Sequence, residues 1–541
     1  MPSQPEGHGE VFTRRWVVDL IFDLLGYTPE RDLSTLQLVE PACGGGAFLA
    51  AAASRISASC RAHARPITDA LAAVRALDLL DHNVQTSRRV VEQVLISEGW
   101  QPSDASKVAA SWVQQGDYLL NPQQNQQADY VVGNPPYIRL EDVPADRMAA
   151  YRNACETMGG RADVYVGFYE IALRSLKADG KLGFICADRW MRNQYGRRLR
   201  EMVNLHYSMD LALIMHDVDA FDDQVSAYPA ITIISNNPQA DAVAANTTRS
   251  FGPSQALEFS DWYTSDSESI TAESFEAARL PHWFHDDDSW PTASPARLAM
   301  LEDLTERFQL LESKDTGTRV GIGIATGADK VFLTRDSDLI EQDRLLPMAM
   351  VRDTTSGTLD WNGTYLVNPW TSDGNLVDLD FYPRLASHFE QNGQVLRKRY
   401  VAVKQPTRWY KTIDKVDHSL TCRPKLLIPD MKLTIHPVLD NGDFYPHHNL
   451  YFIVSDAWDM RVLGGLLLSK IAEAFVEAYA VKMRGGTLRF QAQYLRRIRV
   501  PSPDLISQQD QDDLAEAFDK RDVDAATAVA LRVYGLSELP D

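Results

Sequence analysis

Asp129-Tyr130-Val131-Val132-Gly133-Asn134-Pro135-Pro136-Tyr137 reads as a short buried strand that stops at a glycine and delivers an amide, two prolines and an aromatic ring to its C-terminal end. That end is where open α/β sheets bind their ligands. The residue types suit the holding of a planar amino group that is about to become a nucleophile. The Asn134 side-chain carbonyl can accept one hydrogen of an exocyclic NH2 and the Pro135 backbone carbonyl the other. Two acceptors so arranged draw the nitrogen lone pair out of conjugation. Pro135 and Pro136 fix φ and keep the loop from continuing as helix, and Tyr137 can then lie flat on a heterocycle. An ordinary Asn-Pro turn is the plainer reading of the tetrapeptide alone, so the flanking sequence decides.

Upstream, Leu36 to Glu40 predicts a strand, and Pro41-Ala42-Cys43-Gly44-Gly45-Gly46 a glycine-rich turn entering an alanine-rich helix. The glycines permit close backbone approach to a ligand, and the small residues after them permit tight helix–sheet packing. Neither GxGxxG nor Gly-Lys-Ser/Thr is present, which argues against a dinucleotide fingerprint or a phosphate loop. Glu40 would repel a bound anion and favour a cation. Strand, acid and glycine turn together suit S-adenosyl-L-methionine, which carries an ammonium and a sulfonium.

A second unit repeats the pattern, with a strand from Leu71 to Leu77, Asp78 at its end, and a helix from about Asp81 to Ser97. Asp78 is placed for ribose hydroxyls, although it reads equally as a helix cap, and Asp81 competes for the role. In a third unit Asp117, after Val113, could accept from an adenine amino group. Before all of these, Thr13 precedes an amphipathic helix from Trp16 to a stop at Gly26, and by itself reads as a cap. Downstream come a helix from Ala162 to Leu176, a turn at Lys177 to Gly180, a strand from Lys181 to Cys186 and a basic helix with Arg197, Arg198 and Arg200. Strands from Leu211 to Met215 and Ala230 to Ser235 are joined through Phe221. This alternation makes the first ~240 residues a doubly wound α/β sheet.

At 541 residues the chain implies two domains. Its polar start carries no signal-peptide pattern, and no apolar run approaches the roughly 18 residues of a membrane span, so a cytoplasmic location and no membrane partner are expected. Five cysteines lack CxxC spacing, so neither disulfides nor a zinc site is indicated, and no metal is expected. The net charge of −20 argues against a nucleic-acid partner, but distribution outweighs the sum. Between Arg397 and Lys432 stand ten Lys or Arg against three Asp, while acid concentrates around Asp261 to Asp288. A locally basic face on an acidic protein is the expectation.

The order of these motifs resembles the γ-class, TaqI-type N6-adenine DNA methyltransferases of type II restriction–modification systems. The match is carried by Phe12-Thr13, Glu40-Pro41-Ala42-Cys43-Gly44-Gly45-Gly46, Asp78, Gly116-Asp117, Asn134-Pro135-Pro136-Tyr137, Lys181 to Ile185, and Phe221 with Val225-Ser226-Ala227. In the C-terminal half it is carried by Gly321 to Phe332, Pro424 to Pro429, Arg484 to Phe490 and Ile498 to Pro501. The resemblance implies a Rossmann-like catalytic domain over residues 1–240, an acidic connecting insert over 241–305, and an α+β target-recognition domain over 306–541. It implies that Thr13, Glu40, Ala42, Cys43, Gly44, Asp78, Asp117 and Asn134 line the S-adenosyl-L-methionine pocket. Asn134 and Pro135, with Pro136 and Tyr137 completing the turn, would grip a flipped-out adenine, Tyr137 would stack on it and Phe221 would pack on its other side. Arg14 departs from the family's usual proline after threonine, and Gly44-Gly45-Gly46 is richer in glycine than the common form.

Lys404 and Arg408, with the Trp409-Tyr410 pair, are expected on a phosphate-contacting face, and Lys482 and Arg484 beside Gly485-Gly486 are expected to reach double-stranded DNA. Trp262, Trp283 and Trp290 read as packing residues. Three alternatives are weighed: an enzyme methylating an RNA base or a protein glutamine, the modification subunit of a multisubunit restriction enzyme, and a DNA-binding module with an inactive transferase core. The long C-terminal region argues against the first, the position of Glu40, which leaves no room for the long helical domain expected ahead of the cofactor motifs, against the second, and the intact Glu40, Asp117 and Asn134 against the third. No nuclease cluster is evident, so modification by a monomer is expected, with any cognate restriction endonuclease acting separately.

Overall fold

The computed structural model describes residues 12–120, 127–139, 142–222, 228–284, 289–480 and 488–540. The chain divides into two compact units, Met1–Glu302 and Asp303–Asp541.

The first unit is built on a ten-stranded mixed sheet. Its strands are β1 (Leu38–Glu40), β2 (Val74–Asp78), β3 (Val113–Gln115), β4 (Ala128–Gly133), β5 (Leu176–Ala187), β6 (Ser208–Ile214), β7 (Pro229–Ser235), β8 (Ala242–Thr247), β9 (Ser269–Thr271) and β10 (Phe275–Leu280). They lie in the order β3-β2-β1-β4-β5-β7-β6-β8-β10-β9. The first five run parallel, and β7 inserts antiparallel between β5 and β6. Parallel strands need both faces covered, so β1, β2 and β4 are apolar and buried almost throughout. One face carries the helices α1 (Arg15–Leu25), α2 (Ala47–Ala62), α3 (Asp81–Ser97) and α4 (Pro102–Trp112); the other carries α5 (Ala145–Ala154), α6 (Tyr165–Arg174) and α7 (Arg197–His206). The doubly wound reading therefore holds, and the strand order reverses between β1 and β4.

Three differences from the sequence reading have physical causes. The sheet does not end near residue 240: β8 pairs parallel with β6, and β10 and β9 follow, so the stretch expected as a connecting insert is the sheet's own edge. The turn expected at Lys177 to Gly180 is absorbed into β5, with Asp179 at φ 62 bending it. Helix α5 was not foreseen, because its apolar residues Met148 and Tyr151 are few among exposed polar ones. Trp262, Trp283 and Trp290 are buried, as expected of packing residues.

The second unit is α+β. A four-stranded antiparallel sheet of Arg319–Ile322, Leu450–Val454, Lys425–Pro429 and Val438–Asp440 neighbours in sequence a second sheet of Leu333–Thr334, Tyr365–Val367, Leu345–Ala349 and Tyr445–Pro446. Helices Met460–Leu468, Lys470–Tyr479, Gln508–Lys520 and Val523–Tyr534 follow. Among the described residues no helix is long and apolar enough to cross a membrane.

Candidate active site

Three stretches distant in sequence meet beside the reversal point between β1 and β4. The Gly133 Cα lies so close to the β1 turn that a Cβ there would stand 3.5 Å from Pro41 and 3.9 Å from the Glu40 side chain. Asn134 follows at once, and its Nδ2 donates to Thr13 Oγ1 at 3.3 Å. Thr13 is buried, and it does not cap α1, whose first turn has no side-chain cap. It belongs instead to a strap ahead of that helix. The strap pairs antiparallel with Phe221, through Arg14 N–H to the Ala220 carbonyl at 3.0 Å and Asp222 N–H to the Phe12 carbonyl at 3.0 Å.

Arg14 now has a reason to differ from proline. Its backbone N–H is needed by Ala220, its Nε donates to the Phe221 carbonyl at 2.9 Å, and its guanidinium pairs with Asp219 at 2.6 Å. A proline would remove all three contacts. The glycine turn is explained locally as well. The Phe12 ring covers it so closely that a Cβ on Gly45 would lie 2.9 Å from the ring, and Gly46 adopts φ 86 against Ser87.

Glu40 is 2% exposed, and its Oε2 has no hydrogen-bond partner among the described residues. Burial, reinforced by the charge of Asp78, pushes its carboxyl well above the usual range. A buried carboxylate without a partner is costly unless a cation or donor arrives. The residues thus fit a cationic ligand.

Asp78 is committed differently. Its Oδ2 accepts the Gly44 N–H at 2.9 Å, and its Oδ1 accepts from Leu80 N–H at 2.9 Å and from Asn83 Nδ2 at 3.1 Å. It therefore braces the glycine turn and the start of α3. Cys43 is fastened to β2 by its N–H to the Leu77 carbonyl, and burial raises its thiol, with Glu40 adding to the effect, so it stays protonated. Ala42 is half-buried beside it. Asp117 is half-exposed after β3; its Oδ1 accepts the Leu119 N–H at 3.1 Å and its Oδ2 the Tyr151 hydroxyl at 2.8 Å.

Pro135 is buried, and Pro136 and Tyr137 are half-buried. The Tyr137 hydroxyl is buried with no partner among the described residues. Phe221 is buried and meets Tyr137 edge-on, with ring centroids 6.5 Å apart at 80°.

Sequence reasoning missed Tyr151, Arg14 as a fastener, and Leu79, an apolar side chain left 38% exposed after Asp78. The Leu79 signal was present, since a leucine following the strand-end acid has no core to enter. Tyr151 gave none, because α5 has no amphipathic pattern.

In the second unit Lys404 is exposed with its ammonium 4.6 Å from the Tyr400 ring centre, and Arg408 is half-buried over Trp370 at 5.8 Å. The Trp409-Tyr410 pair does not join them on the surface. Trp409 is buried, and Tyr410 is half-buried with its hydroxyl donating to the Val377 carbonyl at 2.8 Å. Part of the basic segment is internal too: Lys425 is fully buried against Asp440 at 2.7 Å. Lys482, Arg484, Gly485 and Gly486 lie outside the described residues.

A doubly wound sheet with a cation-seeking acid beside an Asn-Pro-Pro-Tyr turn defines the class as a methyltransferase, and comparison with known proteins narrows it. The family model of the Eco57I restriction-modification methylase matches residues 62–221. The type II methyltransferase M.PaeR7I of Pseudomonas aeruginosa is 42% identical, covering 98% of this chain and 92% of its own. M.XhoI of Xanthomonas vasicola is 38% identical over 99% and 98% respectively. The chain belongs to the type II methyltransferases, the DNA-modifying enzymes of restriction–modification systems. Among solved structures, the type IIL restriction-modification enzyme MmeI in complex with DNA is similar at a TM-score of 0.44 and 11% identity, over 97% of this chain and 74% of that one, too distant to carry weight.

Proposed function

We propose that the chain transfers a methyl group from S-adenosyl-L-methionine to the N6 amino group of an adenine rotated out of duplex DNA, as a γ-class enzyme. The observation that carries this reading is the meeting of the buried Glu40 carboxyl, without a partner at Oε2 among the described residues, with Asn134 held by Thr13 at the reversal of strand order. When bound, the cofactor supplies a methyl group on a sulfonium that leaves as a neutral thioether. Glu40 receives its positive end, Asp117 its adenine, and Asp78 a ribose hydroxyl through the roughly one lone pair that its three internal hydrogen bonds leave over. Ala42, Cys43 and Gly44 line the approach, and Leu79 offers an apolar face.

Thr13 fixes the Asn134 amide so that its carbonyl oxygen accepts from the target amino group, with the Pro135 carbonyl as the second acceptor. The nitrogen lone pair would then be available to form the new N–C bond as the sulfur–methyl bond breaks with its electrons staying on sulfur, and the extra proton on the amino group would pass to solvent after transfer. Catalysis is therefore positioning and preorganised electrostatics. Rotating the base out costs a few kcal/mol, and stacking on Tyr137 returns roughly 1–3 kcal/mol. Stacking on both faces requires Phe221 to turn, because two rings sandwiching a base stand about 7 Å apart and parallel, whereas these meet edge-on at 6.5 Å.

Target recognition falls to the second unit, with Lys404 and Arg408 contacting phosphates next to the exposed Tyr400 and Val403, and Lys482, Arg484, Gly485 and Gly486 approaching the duplex. The biological outcome is protection of host DNA from a separate cognate endonuclease. Transfer of labelled methyl groups to duplex DNA by the purified protein tests the reading. Asn134→Ala is expected to lower the rate by at least about 10²–10³ while DNA affinity stays within a few-fold; labelling of RNA or protein but not of DNA would overturn it.

A further inference from the structure

In the second unit the chain passes four times between its two sheets, and two of these crossings run side by side. One leaves the antiparallel sheet at Ile322 and enters the other at Leu333; the second leaves at Pro446 and returns at Leu450. Backbone hydrogen bonds lace them: Gly323 N–H to the Leu450 carbonyl at 2.9 Å, Ile324 N–H to Pro446 at 3.0 Å, and His448 N–H to Ile324 at 3.1 Å. At this junction stand Asp329 from one crossing and His447 and His448 from the other.

One nitrogen from each imidazole and one carboxylate oxygen of Asp329 lie within 4.8 Å of one another. Asp329 Oδ2 is 3.3 Å from His447 Nε2. That is long for a charge-assisted hydrogen bond, but it matches the separation of about 3.3–3.4 Å between two ligands of a tetrahedral ion bound at about 2.0–2.1 Å. His447 is 2% exposed, and the Nδ1 atoms of both rings are buried with no hydrogen-bond partner among the described residues. A buried imidazole used only for packing ordinarily has such nitrogens satisfied; His447 has the long Nε2 contact with Asp329, and neither Nδ1 is accounted for by hydrogen bonds among the described residues.

We propose that Asp329, His447 and His448 bind a divalent transition-metal ion of the zinc class, which staples the two crossings of the C-terminal unit. Two imidazoles and one carboxylate suit such ions, whereas magnesium and calcium prefer oxygen-only sets. Water completes the coordination. The Thr326 hydroxyl donates to the other carboxylate oxygen at 2.5 Å, fixing the ligand's orientation as an outer partner does at metal sites.

The test uses the full chain without a histidine tag, loaded with Zn2+ or Co2+, desalted, and assayed by elemental analysis. One ion per chain is expected, with visible d–d absorption for Co2+ and a rise in melting temperature on adding Zn2+. Asp329→Asn, isosteric at a half-exposed position, and His448→Gln should each weaken binding by at least about tenfold and abolish the Zn2+-dependent rise. Wild-type protein that retains no stoichiometric ion, or variants that retain it equally, would overturn the site. Should His448→Gln fail to fold, Asp329→Asn and the wild-type Co2+ spectrum decide the matter on their own.

Discussion

Replacing Glu40 by glutamine separates what this residue does for the fold from what it does for the ligand. Glu40 is 2% exposed, its Oε2 has no hydrogen-bond partner among the described residues, and burial with the nearby Asp78 charge raises its carboxyl well above the ordinary range. A raised folded-state value means that the ligand-free protein holds the proton while the unfolded chain releases it. Below the unfolded value of about 4.3 both states are protonated and nothing is lost. As pH rises from there toward the folded value, stability falls by up to about 1.4 kcal/mol per pH unit. Glu40→Gln keeps the shape and cannot ionise, so the ligand-free variant should melt higher than wild type near neutral pH, with a gap that widens as pH rises. Ligand binding should show the reverse. A cation is received only by the carboxylate, so wild-type affinity for S-adenosyl-L-methionine should rise with pH, by up to about tenfold per unit over the range in which the ligand-free site still holds its proton, releasing up to one proton. The variant should bind at least about tenfold more weakly, with no pH slope of this origin. Titration calorimetry in two buffers of different ionisation enthalpy counts the proton, and thermal melts across the same pH range measure the stability gap. A variant that binds with wild-type affinity and slope, or that melts lower at every pH, would refute the reasoning.

Tyr137→Phe removes a buried hydroxyl without a partner among the described residues, so it should leave stability unchanged or slightly raised and keep methylation close to wild type; Tyr137→Ala should lose the stacking surface and with it roughly 1–3 kcal/mol, read as a 5- to 150-fold fall in kcat/KM for DNA. Lys404→Ala and Arg408→Ala should each flatten the dependence of log Kd on log salt by about 0.9, measured by fluorescence anisotropy on duplex DNA, with no change in the methylated sequence. Lys425→Met strands the buried Asp440 carboxylate, which also accepts the Gly442, Asp443 and Phe444 N–H groups, and should destabilise the second unit by about 3–5 kcal/mol in denaturant titrations.

The parts of this molecule that were legible in its sequence are those where chemistry and fold coincide within a few residues. The strands ending at Glu40 and at Gly133 are each a short apolar run closed by an acid or a glycine, and the helix from Asp81 to Ser97 has Val84, Val91 and Leu95 at helical spacing behind its first-turn acid; the structure has all three in those places. What was not legible depends on partners far along the chain. Thr13 looked like a cap, because nothing local says that Phe221 pairs with its strap 208 residues later and turns it toward Asn134. Lys425 was counted toward a basic face, because its burial is set by Asp440 across a strand pair. Trp409 was read as exposed for the same reason. The edge strands after residue 240 were hidden by their alanine-rich, weakly β-branched sequences and by the acid around them, and Asp329 and His447 share no motif until two sheet crossings bring them together.

The central claim, that Asn134 activates an adenine amino group in DNA, is tested most directly by modified-base sequencing of genomic DNA from cells expressing the wild-type chain and, in parallel, Asn134→Ala. N6-methyladenine at one short recurring sequence in the first and its absence in the second is the result predicted. No new mark in either genome, or the same mark in both, would contradict the account.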